Sequence, residues 1–101
     1  MIAKLRTVTV APEDVEEGVQ YLRNRMLPVA REIDGFRGMV GLVDRVTGKA
    51  VTVTLWDDEQ ALEASEAGGA RLRAAGGAPP SAAVVERFEV IVNELPVAAT
   101  S

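Results

Sequence analysis

The sequence contains two adjacent strand patterns that are apolar on both of their faces. The first is FRGMVGLVD, residues 36–44, and the second is KAVTVTLW, residues 49–56. Successive side chains of a strand point to opposite faces. In the second strand one face carries Val, Val and Leu while the other carries Thr, Thr and Trp, so neither is patterned for water. Gly48 can take the left-handed conformation that the connecting turn needs, which predicts a β-hairpin. Both faces of its sheet must be covered.

The segments around the hairpin complete an order of strand, helix, strand, strand, helix and strand. Residues 2–10 alternate and are rich in β-branched types, which predicts the first strand. Residues 12–33 carry an apolar stripe at three- and four-residue spacing, which predicts a helix that Pro28 either kinks or ends. Asp57 is expected to cap the second helix, with a glutamine three residues later completing a capping box. Residues 84–95 predict a long final strand.

This order is typical of an α+β ferredoxin-like fold, βαββαβ, with a four-stranded antiparallel sheet and both helices on one face. The chain has 101 residues, and we expect one domain over residues 1–95 and a flexible tail over residues 96–101. The helices cover one face of the sheet only. A second copy of the chain is therefore expected to cover the other face, giving a homodimer.

Composition excludes several classes of function. The net charge is −4, which argues against nucleic acid as a partner because phosphate binding needs clustered Lys and Arg. There is no cysteine and no histidine, so thiolate catalysis, zinc ribbons and histidine-ligated haem are excluded. No apolar run approaches membrane-spanning length, and a cytoplasmic protein without a membrane partner is expected.

The second helix has a mixed face that suggests a pocket against the sheet. Counting about 100° per residue, that face includes Leu62, Ser65, Glu66, Gly69, Leu72 and Arg73. If the face looks at the sheet, Arg73 supplies a cation and Glu66 a carboxylate beside the polar face of the third strand. The candidate site is then Arg73 and Glu66 as catalytic residues, with Trp56, Thr52, Thr54, Leu62 and Ser65 binding substrate.

Each of these residues also has a structural interpretation. Trp56 can be a core anchor that satisfies its N–H at an edge. Arg73 and Glu66 can be a solvated ion pair. The acidic run Asp57-Asp58-Glu59 can be assigned to helix capping, and we expect no metal there.

The chain resembles the antibiotic-biosynthesis-monooxygenase-type proteins of the dimeric α/β-barrel superfamily. The resemblance rests on a helix reaching Pro28 before DGFRG, the D-x-x-TG hairpin of residues 44–48, the LWDDEQAL junction and the closing ERFEV, and it extends over about residues 2–95. It implies that the sheets of two subunits pair into a barrel, with a cavity between each sheet and its own helices. Members include cofactor-independent oxygenases acting on anthrones and haem-degrading enzymes.

The resemblance implies substrate contacts at Trp56 and Arg73, which match positions of the anthrone-oxidising members. Two further polar positions differ, because an asparagine and a tyrosine of those members are Thr52 and Leu62 here. The leading hypothesis is a cofactor-independent monooxygenase-like homodimer that binds an electron-rich aromatic or polyketide-like molecule. The alternative is a non-catalytic small-molecule-binding or structural barrel protein.

Overall fold

The computed structural model describes the backbone of residues 1–74 and 83–94, and the side chains of residues 1–68 and 83–94. Its elements are β1 (Ile2–Thr9), α1 (Val15–Tyr21), α2 (Leu27–Arg31), β2 (Phe36–Val43), β3 (Lys49–Trp56), α3 (Glu59–Ala74) and β4 (Val84–Glu89). The four strands form one antiparallel sheet in the order β2-β3-β1-β4. The ferredoxin-like α+β fold predicted from the order of the elements is confirmed. The predicted flexible tail, residues 96–101, lies outside the described residues.

The first helical segment runs without a break past Pro28, with a wide π turn between α1 and α2. The π turn covers Leu22–Met26, and the N–H of Leu27 donates to the carbonyl of Leu22, five residues earlier. Proline has no N–H to give to the carbonyl four residues before it, so a regular α-helix would leave an acceptor unpaired here. The wide turn changes the hydrogen bonding before Pro28 from a four-residue to a five-residue spacing. The chain then stays helical to Arg31.

Strand register decides which side chains face the helices. Trp56 of β3 is 2% exposed and packs with Ala30, Ala61 and Leu62 from the helices. Its partner across β1 is Ile2, which packs on the same cluster. Because side chains alternate, the even-numbered positions of β1 and β3 face the helices and the odd-numbered positions face away.

The face of the sheet away from the helices is apolar and open. Directly paired residues share a face, so the register assigns this face to Leu5, Val40, Leu42, Val51, Val53, Leu55, Val84 and Phe88. On the outer strands Leu42 is 53% exposed and Phe88 is 50% exposed. One layer of helices therefore leaves this apolar face without a covering layer, and its outer-strand side chains are in contact with solvent.

Hydrogen bonds within the turn stabilise the hairpin between β2 and β3. The carboxylate of Asp44 accepts the backbone N–H groups of Val46 at 2.9 Å and Thr47 at 3.3 Å. These hydrogen bonds, first that of Val46, hold the pKa of Asp44 below its usual range. Gly48 follows with φ of 78°, as the turn pattern predicts.

Two element boundaries differ from the sequence predictions. Asp58, rather than Asp57, caps α3, because its carboxylate accepts the N–H of Ala61 at 2.9 Å. Asp57 instead pairs with Arg37, and this hydrogen bond raises the pKa of the guanidinium. The prediction that the last strand reaches residue 95 is also wrong: β4 ends at Glu89 because Glu89 already pairs with Ile2, the first residue of β1.

Candidate functional site

A cavity of about 670 Å³ lies between the first helical segment and the sheet. Its walls come from α1, the π turn, and the helix-facing sides of β1, β2 and β3. Most of the lining is aliphatic or thioether carbon, including Val8, Val19, Leu22, Met26 and Met39. The volume falls in the range of small-molecule sites, and an apolar body with few polar groups is their usual composition.

The floor of the cavity is one row of residues across the sheet. Thr52 of β3 pairs with Gly41 of β2 on one side and with Arg6 of β1 on the other. A Cβ added at Gly41 would lie 3.6 Å from the side chain of Leu22, an ordinary van der Waals contact. Because Gly41 has no side chain, the cavity is deeper beside Thr52 and Arg6 than a larger residue would allow.

The helical wall and the rim add further polar groups. Tyr21, the one tyrosine of the chain, lines the cavity from the end of α1 and is partly buried. Asp14, Glu17 and Arg23 also line it but are exposed to solvent. The cavity therefore combines hydroxyl donors and acceptors within its walls with mixed charges at its rim.

Trp56, the first predicted substrate contact, lies in the core at the opposite end of β3 from the hairpin turn. Its ring meets Phe36 edge to face, with centroids 5.4 Å apart and planes at 63°. Its indole N–H donates to the Thr54 hydroxyl at 2.9 Å. The indole N–H thus has its acceptor within β3. Neither Trp56 nor Thr54 is among the residues lining the cavity.

The predicted site residues on α3 are engaged in structural contacts. Leu62 is fully buried in the cluster around Trp56. The Ser65 hydroxyl donates to the carbonyl of Leu62. Glu66 pairs with Arg87 of β4, which also donates to Glu59 at 3.1 Å. Of the predicted set, Thr52 alone lies on the cavity wall among the residues with described side chains. Arg73 is in the last turns of α3, and its side chain lies outside the described ones.

The acidic run at the start of α3 has a separate structural partner for each carboxylate. Asp57 binds Arg37, Asp58 caps the helix, and Glu59 binds Arg87. Within the described ranges no three acidic, cysteine or histidine side chains are placed to hold a metal ion. No helix in these ranges is long and apolar enough to cross a bilayer.

Sequence reasoning missed Arg6 and Tyr21 as cavity residues. A signal existed for Arg6, since it shares the alternation phase of Ile2 and therefore faces the helices with Thr52. Tyr21 lies away from the apolar stripe at 100° per residue and gave no such signal. The cavity also borders the π turn, where hydrogen bonds span five residues and the 100° spacing of an α-helix does not apply.

Comparison with known sequences gives one family and several relatives. The model of the family described as antibiotic biosynthesis monooxygenase matches residues 1–76. The uncharacterized protein Rv2558 of Mycobacterium tuberculosis is 33% identical over 63 residues, which are 62% of this chain and 27% of that protein. The match thus spans about a quarter of the length of this curated relative.

Solved structures share the fold across almost the whole chain. A monooxygenase from the ActVA-Orf6 gene of Streptomyces coelicolor, in complex with nanaomycin D, superposes with a TM-score of 0.74 at 20% identity, covering 94% of this chain and 91% of that one. The heme-degrader MhuD of Mycobacterium tuberculosis gives 0.73 at 24% identity, covering 93% and 99%. At these identities the likeness establishes a common fold.

Proposed function

Because the chain belongs to the antibiotic biosynthesis monooxygenase family, we propose that it binds an electron-rich aromatic or polyketide-like molecule in the cavity and oxidises it with O₂ without a cofactor. The observation that carries the proposal is the 670 Å³ apolar cavity with Thr52, Tyr21 and Arg6 on its walls. A site of this kind holds a ring system by burial and orients it through a few hydrogen bonds. The two hydroxyl groups are suited to a ligand carbonyl or phenol oxygen.

The chemistry requires the substrate itself to supply the electrons. Loss of a proton from an anthrone-type CH₂ gives a carbanion that can pass electrons to O₂. One oxygen atom then becomes the new carbonyl and the other leaves as water, so CH₂ and O₂ give C=O and H₂O with no external reductant. The protein must accept the proton, hold the ring and exclude water.

The candidate proton acceptors are carboxylates. Glu66 was predicted from the sequence, but its carboxylate is paired with Arg87 and it is not among the residues lining the cavity. Asp14 and Glu17 stand at the cavity rim, which places them closer to a bound ligand. We propose one of these two as the acceptor, while a charge-stabilising role for Arg73 stays a prediction.

The second candidate function is binding without catalysis. It is favoured by the engagement of Trp56 and Glu66 in core and surface contacts, which leaves the predicted catalytic set dispersed. Oxygen consumption with 1,8-dihydroxyanthrone separates the two functions. Protein-dependent oxygen uptake with stoichiometric anthraquinone supports the oxygenase, whereas saturable binding without uptake supports the binding protein.

Filling the cavity should weaken ligand binding under either function. In Gly41→Leu the new side chain projects beside Thr52 into the ligand space, and we expect affinity for a hydroxyanthraquinone to fall at least about tenfold, which is about 1.4 kcal/mol. Calorimetric titration measures this loss. Ala64→Leu, on the exposed face of α3, adds the same kind of apolar side chain away from the cavity and should bind like the wild type. Equal affinities in all three proteins would place the ligand elsewhere.

We also propose that a second copy covers the apolar sheet face, as the barrel of the family implies. Val53 lies on the central strand β3, between Leu5 and Val40. Val53→Asp would bury a carboxylate without a partner, which dimerisation cannot tolerate. Light scattering should show a wild-type dimer and a Val53→Asp monomer. Val46→Asp makes the same change in the hairpin turn, where Val46 is 86% exposed, and should stay dimeric. A monomeric wild type at micromolar concentration would contradict this assembly.

A further inference from the structure

We infer that the ligand is an aromatic carboxylate whose charged group binds Arg6 at the floor of the cavity. The inference rests on the proposed binding function and narrows its substrate class. The ligand presents its carboxylate to the sheet, and this contact forms whether or not oxidation follows binding.

The side chain of Arg6 is partly buried and makes no hydrogen bond or ion pair with any group that the structure describes. Three arginines that are more exposed, Arg37, Arg45 and Arg87, each have a carboxylate partner. No buried side-chain nitrogen or oxygen lacks a partner within the described residues, so solvent still reaches the Arg6 guanidinium. The protein therefore keeps a cation without a protein partner on the wall of the cavity, where a ligand acceptor can replace water.

The residues paired with Arg6 in the sheet are uncharged, so the N–H donors of its guanidinium stay available to a ligand. Thr52 on one side offers a hydroxyl, and Val85 on the other side is apolar. A guanidinium presents parallel N–H groups that match the two oxygens of a carboxylate. Thr52 is the residue paired with Arg6 across the sheet, and its hydroxyl can donate a further hydrogen bond.

The other charges at the cavity lie toward solvent. Asp14 and Glu17 belong to the start of the first helical segment, and Arg23 belongs to the π turn; all three side chains are exposed. Exposed charges are screened by water and salt, whereas a charge on the apolar floor is screened less. A ligand thus gains most by turning its carboxylate to Arg6 and its rings to Leu22 and Met39.

The test compares two probes of one shape, anthraquinone-2-carboxylate and anthraquinone-2-carboxamide, by calorimetric titration. We expect the wild type to bind the carboxylate at least about tenfold more tightly, as hydrogen bonds between charged groups allow. Arg6→Met should bind both probes equally, with the carboxamide at its wild-type affinity. Arg6→Lys should keep part of the preference, because it retains the charge without the paired N–H groups.

Arg25→Met is the matched control. Arg25 is exposed on the π turn and is not among the cavity-lining residues, so this variant changes net charge equally and should keep the preference. Equal binding of the two probes to the wild type would overturn the inference and leave the proposed function standing. A preference that survives in Arg6→Met would overturn it as well. Binding of neither probe to the wild type would contradict both the inference and the proposed function.

Discussion

Trp56→Ala is expected to lower the free energy of unfolding by about 3–5 kcal/mol, the usual cost of truncating a buried aromatic residue. Trp56 is 2% exposed and joins helix to sheet through Ala30, Ala61 and Leu62. Its loss would leave a void, remove the edge contact with Phe36 and free the Thr54 hydroxyl. A domain of this size has about 5–15 kcal/mol in total, so the variant loses a large fraction of its stability.

Trp56→Phe separates packing from ligand contact. It keeps a ring against Phe36 and should cost only about 1–2 kcal/mol, from a smaller volume and the lost hydrogen bond to Thr54. Urea unfolding followed by circular dichroism measures both variants, since fluorescence loses its reporter. Affinity for a cavity ligand should be unchanged in Trp56→Phe. A stable Trp56→Ala protein with lost ligand affinity would show that Trp56 serves binding instead.

Gly48→Ala is expected to cost about 2–3 kcal/mol of unfolding free energy. Gly48 has φ of 78°, where an L-residue is strained by about 1–2 kcal/mol. Its new Cβ would lie 1.9 Å from the carbonyl oxygen of Val10, so backbone must move. That movement would stretch the 2.9 Å hydrogen bond from the Val10 N–H to the Gly48 carbonyl, which fastens the hairpin to the end of β1.

Gly18→Ala is the matched control with the opposite sign. Gly18 lies inside α1 with right-handed helical backbone, and a Cβ there meets no atom within 4 Å. Alanine should stabilise the helix by about 0.5–1 kcal/mol, because glycine loses more backbone entropy on folding. Chemical denaturation of the two variants side by side checks the pair. Equal effects from both substitutions would mean that the Gly48 turn is not strained as described.

The fold followed from the sequence because its signals are local and repeated. Alternation in residues 36–56 defined both strands of the hairpin, and the apolar stripe of residues 12–33 defined the first helix. The boundaries depended on distant partners. The capping-box pattern favoured Asp57 over its neighbour Asp58, but Arg37 of β2 lies beside Asp57 and forms an ion pair with it. The end of β4 likewise depends on where β1 begins.

The cavity was harder to predict because it borders a turn where helix periodicity changes. The sequence placed the pocket under α3, whose mixed face is explained by the pairing of Glu66 with Arg87 and by the Ser65 hydroxyl binding its own helix. The cavity instead borders α1 and the π turn. Thr52 belongs to the predicted set and lines the cavity, on the strand face that alternation indicated, whereas Tyr21 lies off the apolar stripe of α1 and had no such indication.

One measurement tests most directly whether this cavity is the ligand site. A ¹⁵N-labelled sample would be titrated with an anthraquinone carboxylate while backbone amide and indole resonances are followed. Saturable shifts centred on Arg6, Tyr21, Gly41 and Thr52, with the Trp56 indole resonance nearly unmoved, are the predicted result. Shifts centred on Trp56, Ser65 and Glu66, or no saturable shifts, would contradict the assignment of the site.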